Sequence, residues 1–74
     1  MLGRAIASLR IERGMTRHHL VGAAGISYPY LAEVEKGRKI PSSTMLGKLA
    51  AALQVLPSEL WQRSELIAAD PRNC

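Results

Sequence analysis

A single cysteine, the last of 74 residues, excludes several architectures at once. One thiol can close no internal disulfide and supplies too few ligands for a zinc-finger set, so the chain is expected to work in a reducing compartment. Cys74 reads as an exposed thiol without a structural task, intermolecular crosslinking being the minor alternative. Long apolar runs are also missing. The longest, LAAAL at residues 49–53, falls far short of the roughly 20 residues needed to span a bilayer. No basic, apolar, small-residue leader opens the sequence. Neither GxGxxG nor GxxxxGK[ST] occurs, so no phosphate loop is expected. His18 and His19 are adjacent and diverge by about 100° on a helix, so they cannot share a metal ion. No carboxylate pair stands at a ligand spacing. Together these absences imply no enzyme, no cofactor, no metal and no membrane partner. β-Branched residues are few and scattered without alternation, so an all-α chain is expected.

Acidic residues are scarce in one part of the chain only. Residues 1–56 carry eight Lys/Arg (Arg4, Arg10, Arg13, Arg17, Lys36, Arg38, Lys39, Lys48) against three acids (Glu12, Glu33, Glu35). Residues 57–74 reverse the balance, with Arg63 and Arg72 against Glu59, Glu65 and Asp70. A net charge of +4 serves solubility in any small domain, but a cationic excess confined to one region is what a polyanion-binding surface needs.

Five helices account for the pattern. Leu2, Ile6 and Leu9 fall at helical spacing over about residues 2–13, and Gly14 stops that run. Thr16 can cap a second helix, in which Leu20 and Ala24 share a face. Gly25 suits the left-handed residue that ends it. Ile26 follows as an apolar anchor, Ser27 as a second cap, and Leu31 and Val34 as the buried stripe of a third helix ending near Gly37. Pro41 keeps Ile40 out of helical conformation. Ser42 or Ser43 caps a fourth helix, whose Leu46, Leu49, Ala50 and Leu53 follow the i, i+3, i+4, i+7 pattern. Pro57 suits the first turn of a fifth, which carries Leu60, Trp61, Ile67 and Ala68 and ends at Asp70-Pro71. One domain over residues 1–69 with a frayed tail at 70–74 is expected, and the length leaves room for one small core. A short helix, a glycine turn and a second helix over residues 16–36 form the unit that places its second helix in the major groove of DNA. Such pairs also occur in proteins that bind no DNA.

The chain resembles the phage-repressor and Cro-type helix-turn-helix family, the XRE family, over about residues 2–60. The matching stretches are LGRAIASLRIERGMT, HLVGAAGISYPYLAEVEKGRKIPS and LGKLAAALQVLPSEL. Leu9-Arg10, Gly14, Leu20, Gly25-Ile26-Ser27, Leu31, Glu35-x-Gly37, Pro41-Ser42, Leu49-Ala50, Leu53 and Leu60 match its spacing without insertion. The resemblance implies a compact five-helix bundle of the lambda-repressor-like type, with the third helix as the recognition helix.

Tyr28, Pro29, Ala32 and Glu33 match the family's base-facing positions, and helical geometry opposes them to Leu31 and Val34. Tyr28 and Pro29 offer apolar surface to thymine methyls. Glu33 could accept from cytosine N4, or be a solvated carboxylate near Lys36. Strong base readers are few on this helix, so part of the sequence preference is expected to come from DNA shape. Arg17, Ser27, Tyr30, Lys36, Arg38 and Lys39 are the candidate phosphate contacts, Tyr30 having a second reading as a packing residue. Arg17 stands where the family commonly has glutamine. Arg10 and Glu35 match a family ion pair that orients the third helix.

Two departures from the family are visible. Val21 replaces a preferred alanine at the crossing of helices two and three, with Gly22 expected to relieve the crowding. Leu56 replaces a capping serine before Pro57, leaving the fifth helix without a side-chain cap. Family members pair through this region, so Leu56, Pro57, Trp61 and Leu66, within residues 55–68, are the candidate dimer interface. Trp61 could instead cap the monomer core. The function implied is a transcriptional regulator, cytoplasmic and nucleoid-associated, that represses by binding a palindromic operator of double-stranded DNA as a homodimer. An antitoxin that also autoregulates its operon, with a toxin or other regulatory protein as partner, and a restriction-modification controller are the alternatives.

Overall fold

Three hydroxyls set the starts of three helices. Thr16 Oγ1 accepts from His19 N at 3.0 Å, Ser27 Oγ from Tyr30 N at 3.3 Å, and Ser42 Oγ from Met45 N at 3.2 Å. Each cap residue is extended, so the chain turns into the helix at that point. The computed structural model describes residues 2–69. It holds α1 (Leu2–Glu12), α2 (Arg17–Ala24), α3 (Tyr28–Glu35), α4 (Ser43–Ala52) and α5 (Pro57–Ala69), and no strand among the described residues. The tail at 70–74, Asp70-Pro71 as a helix stop and Cys74 lie outside those residues.

The apolar stripes converge on one core. Ile6, Leu20, Leu31, Val34, Leu49, Leu53 and Leu60 are fully buried, with Leu9, Ala24, Leu46 and Ala50 closing around them. Every one of the five helices contributes, which is how so short a chain buries enough surface to hold a fold. Met15, Val21, Ile26, Tyr30 and Val55 pack against its edge. Pro41 is buried too, and so fixes the path of the α3–α4 loop.

Helix ends separate the turns into two kinds. Gly14, Gly25 and Gly37 occupy the left-handed conformation between α1, α2, α3 and α4. Between α4 and α5 that place falls to Gln54, at φ 60°. Val55 N donates to Ala50 O at 2.9 Å and Gln54 N to Ala51 O at 3.0 Å, the paired bonds of a Schellman cap. A side chain in that conformation costs energy that glycine avoids.

Two expectations are corrected here. Gly22 relieves no crowding: it is exposed, and a Cβ built on it meets nothing within 4 Å. The glycine that a close crossing demands is Gly3. A Cβ there would lie 1.9 Å from the Val34 carbonyl oxygen, because α1 runs against the last turn of α3. Nor does α5 start bare. Leu56 N donates to Glu59 Oε1 at 3.5 Å, half of a capping box, supplied by the residue three positions in.

Candidate nucleic-acid interface

Burial of Leu31 and Val34 fixes the rotation of α3 about its axis, so the opposite side of the helix must face outward. Tyr28, Pro29 and Lys36 are exposed, and Ala32 and Glu33 half-buried at the flank. Arg38, Lys39 and Ile40 are exposed in the following loop. Lys39 Nζ sits 5.8 Å from the Tyr30 ring centroid, and Tyr30 packs on the core edge. Tyr30 thus packs as its second reading expects, and its ring also supports a cation. The Glu33 carboxylate lies 3.8 Å from Arg38 Nη1, rather than being matched to Lys36. Arg38 is largely solvated and the separation is long, so the pair adds little to stability and leaves Arg38 available to another anion. Ser27 Oγ accepts the capping bond but retains its own proton to donate.

Behind this surface lies a buried charge cluster. The Glu35 side chain is only 1% exposed. Arg10 clamps it twice, Nε to Oε2 at 2.8 Å and Nη2 to Oε1 at 3.2 Å, and donates a third bond to Met15 O at 2.9 Å. The two residues thus lock α1 and the α1–α2 turn to the end of α3. Sequence reasoning missed the third member. Arg17 Nε donates to Glu35 Oε1 at 2.9 Å, with its side chain 32% exposed. Hydrogen bonding to Glu35 first, with the nearby Tyr28 side chain adding to it, holds the Arg17 guanidinium above its ordinary pKa against the opposing effect of burial. Arg17 therefore points inward at Nε, which a simple phosphate contact would not require. The available signal was the arginine itself, longer and charged where the resemblance gives glutamine. The same side of α2 brings the His18 ring against Tyr28, centroids 4.5 Å apart.

A second surface lies on α5. Leu56 is 64% and Trp61 50% exposed, with Pro57 exposed between them. Trp61 thus does not cap the monomer core; Leu60 does, fully buried. Leu66 does not share that patch. Five residues separate it from Trp61, about 140° around the helix. It lines an open groove between α1 and α5 with Leu9, Glu12, Val55, Gln62 and Arg63. Arg63 bridges the two helices there, donating to Glu12 and to Ser8 Oγ. Among the described residues no three His, Cys, Asp or Glu side chains gather as a metal site, and no helix is long and apolar enough to cross a membrane.

Two short helices at a glycine turn, the second one exposed beneath a cationic loop, define a class of DNA-reading domains. Residues 6–60 match the helix-turn-helix family model, and the chain belongs to that family. It is 36% identical over 55 residues to the transcriptional regulator ClgR of Mycobacterium tuberculosis, covering 74% of this chain and 49% of that one. The chain therefore spans about half the length of that curated relative. Among solved structures, the clp gene regulator ClgR from C. glutamicum superposes with a TM-score of 0.85 at 31% identity, over 95% of this chain and 90% of that one. The restriction-modification controller protein C.AhdI from Aeromonas hydrophila gives 0.78 at 32% identity, over 80% and 89%.

Proposed function

We propose that this protein is a cytoplasmic transcriptional regulator that binds a palindromic operator as a homodimer and represses by occluding polymerase. The observation that carries the reading is the opposition on α3: a fully buried Leu31–Val34 stripe, with Tyr28 and Pro29 exposed and Ala32 and Glu33 half-buried at the flank, the four residues that would meet base edges. Ser27, Tyr30, Lys36, Arg38 and Lys39 would hold the phosphates on either side and set the register. Leu56, Pro57 and Trp61 would join two copies, so that two recognition helices stand one turn of DNA apart, about 34 Å. Control of a restriction-modification operon is the second reading, supported by the likeness to C.AhdI.

Selection of bound duplexes from a random pool tests the proposal. An inverted repeat with half-sites about one turn apart is expected. Failure to enrich any sequence overturns it. The phosphate assignment has its own measurement: Arg38→Ala and Lys39→Ala should each lower the slope of log affinity against log salt by about one, equally on specific and random DNA. An unchanged slope in the double variant removes the α3–α4 loop from the interface.

A further inference from the structure

Tyr28 opens α3 on its exposed side, directly after the Ser27 cap. An exposed tyrosine ordinarily samples several χ1 wells, and each carries the ring to a different place. Here the start of α2 restrains it, His18 by contact and Arg17 by anchoring that turn. The His18 imidazole lies against the ring with the planes tilted by 32°. Arg17, the residue before His18, has its Nε fixed on Glu35, and Tyr28 lies near enough to help hold its charge. Glu35 is in turn held by Arg10 from α1. A path therefore runs from the buried carboxylate to Arg17, along the chain to His18, and by ring contact to Tyr28.

We propose that Arg17 and His18 are positioning residues for Tyr28, holding its ring in one orientation and thereby setting base preference at the operator step it faces. The inference rests on the DNA-reading function proposed above. A ring already held in its bound orientation loses less side-chain freedom on binding, and an apolar ring edge in a fixed place distinguishes a thymine methyl from its absence. Preference at that step then depends on two α2 residues that need touch no base. It also assigns Arg17 a different task from that of Arg38 and Lys39, which have no such inward anchor on Glu35.

The test compares base-preference profiles from random duplex pools. Tyr28→Ala identifies the column that Tyr28 reads, as the one that flattens. His18→Ala and Arg17→Ala are expected to flatten that same column about fivefold or more, leaving the other columns and the salt slope as in the wild type. His18→Phe keeps a ring in the stack and should restore the column, which a merely structural loss would not allow. His18 is exposed, so its variants retain the fold, with circular dichroism as the check. If Arg17→Ala lowers the salt slope by about one while the column persists, Arg17 is a phosphate contact and the proposal fails. An unaltered column in His18→Ala, or no column lost in Tyr28→Ala, also overturns it. A wild type that enriches no sequence defeats the DNA reading itself, which separates the two failures.

Discussion

The recognition half of the molecule and the α5 end differ in the charge they carry and in how their exposed side chains are held. Around α2, α3 and the loop after them, cations and hydroxyls are exposed beside Tyr28, Pro29 and Ile40, and a buried carboxylate with two arginines stands behind them. At α5 the large exposed side chains are Leu56, Trp61 and Leu66, and residues 57–74 carry a net negative charge. The first half is ordered by directional bonds, which fix where a side chain points. The second offers apolar area, which favours association with little regard for direction. A surface that must read a groove needs the former. A surface that must join two copies needs the latter, and the two halves can be broken separately.

Trp61→Glu gives the largest effect. The side chain is half exposed and the core stripe of Leu46, Leu49, Leu53 and Leu60 does not depend on it, so circular dichroism and the urea midpoint should hold. Sedimentation should change from dimer to monomer, and operator affinity should fall by about 10²–10⁴ as the second half-site loses its tether. A folded variant that still sediments as a dimer places the interface elsewhere.

Arg10→Ala attacks the other half. Glu35 would keep Arg17 at Oε1 but lose both bonds from Arg10, and Met15 O would lose its donor. Stripping one partner from a buried pair costs roughly 3–5 kcal/mol, and the surviving arginine argues for the lower end, about 3 kcal/mol. Urea unfolding measures it. A loss below about 1 kcal/mol would mean that Arg17 alone satisfies the carboxylate.

Gly3→Ala should cost less, about 1–3 kcal/mol, by forcing α1 away from the Val34 carbonyl. Because that contact lies beside Glu35, the variant should also loosen the Arg10 clamp, seen as faster amide exchange at the end of α3. Unchanged stability would show that α1 slides without cost.

The contrast between the halves also marks what the sequence discloses. Helix positions, the Leu46–Leu53 stripe and the capping hydroxyls follow from local periodicity and turn chemistry, and each stands where the spacing puts it. Arg10 with Glu35 came only through family resemblance, since 25 residues separate them. Arg17 on Glu35, His18 on Tyr28 and Gly3 under Val34 are products of how helices cross. No spacing within one helix encodes them. Leu66 was grouped with Trp61 by proximity in sequence, and the helical rotation sets them apart. Gly22 was assigned a crossing that belongs to Gly3, because a glycine in sequence does not say which helix approaches it.

The smallest effect concerns the turn into α5. The three turns around α2 and α3 each place glycine in the left-handed conformation, whereas the turn between α4 and α5 places Gln54 there. For an L residue that conformation costs roughly 1–2 kcal/mol, and glycine returns part of the gain because it has more freedom to lose on folding. Gln54→Gly should therefore stabilise the fold by about 0.5–1 kcal/mol, read as a higher urea midpoint at unchanged m. The Schellman bonds from Gln54 N and Val55 N use backbone only, so the substitution preserves them. Gln54→Ala keeps the strain and should give no such increase. Equal midpoints for Gly and Ala would show that the turn carries no left-handed strain, and that the α5 end is built to the same rule as the recognition half.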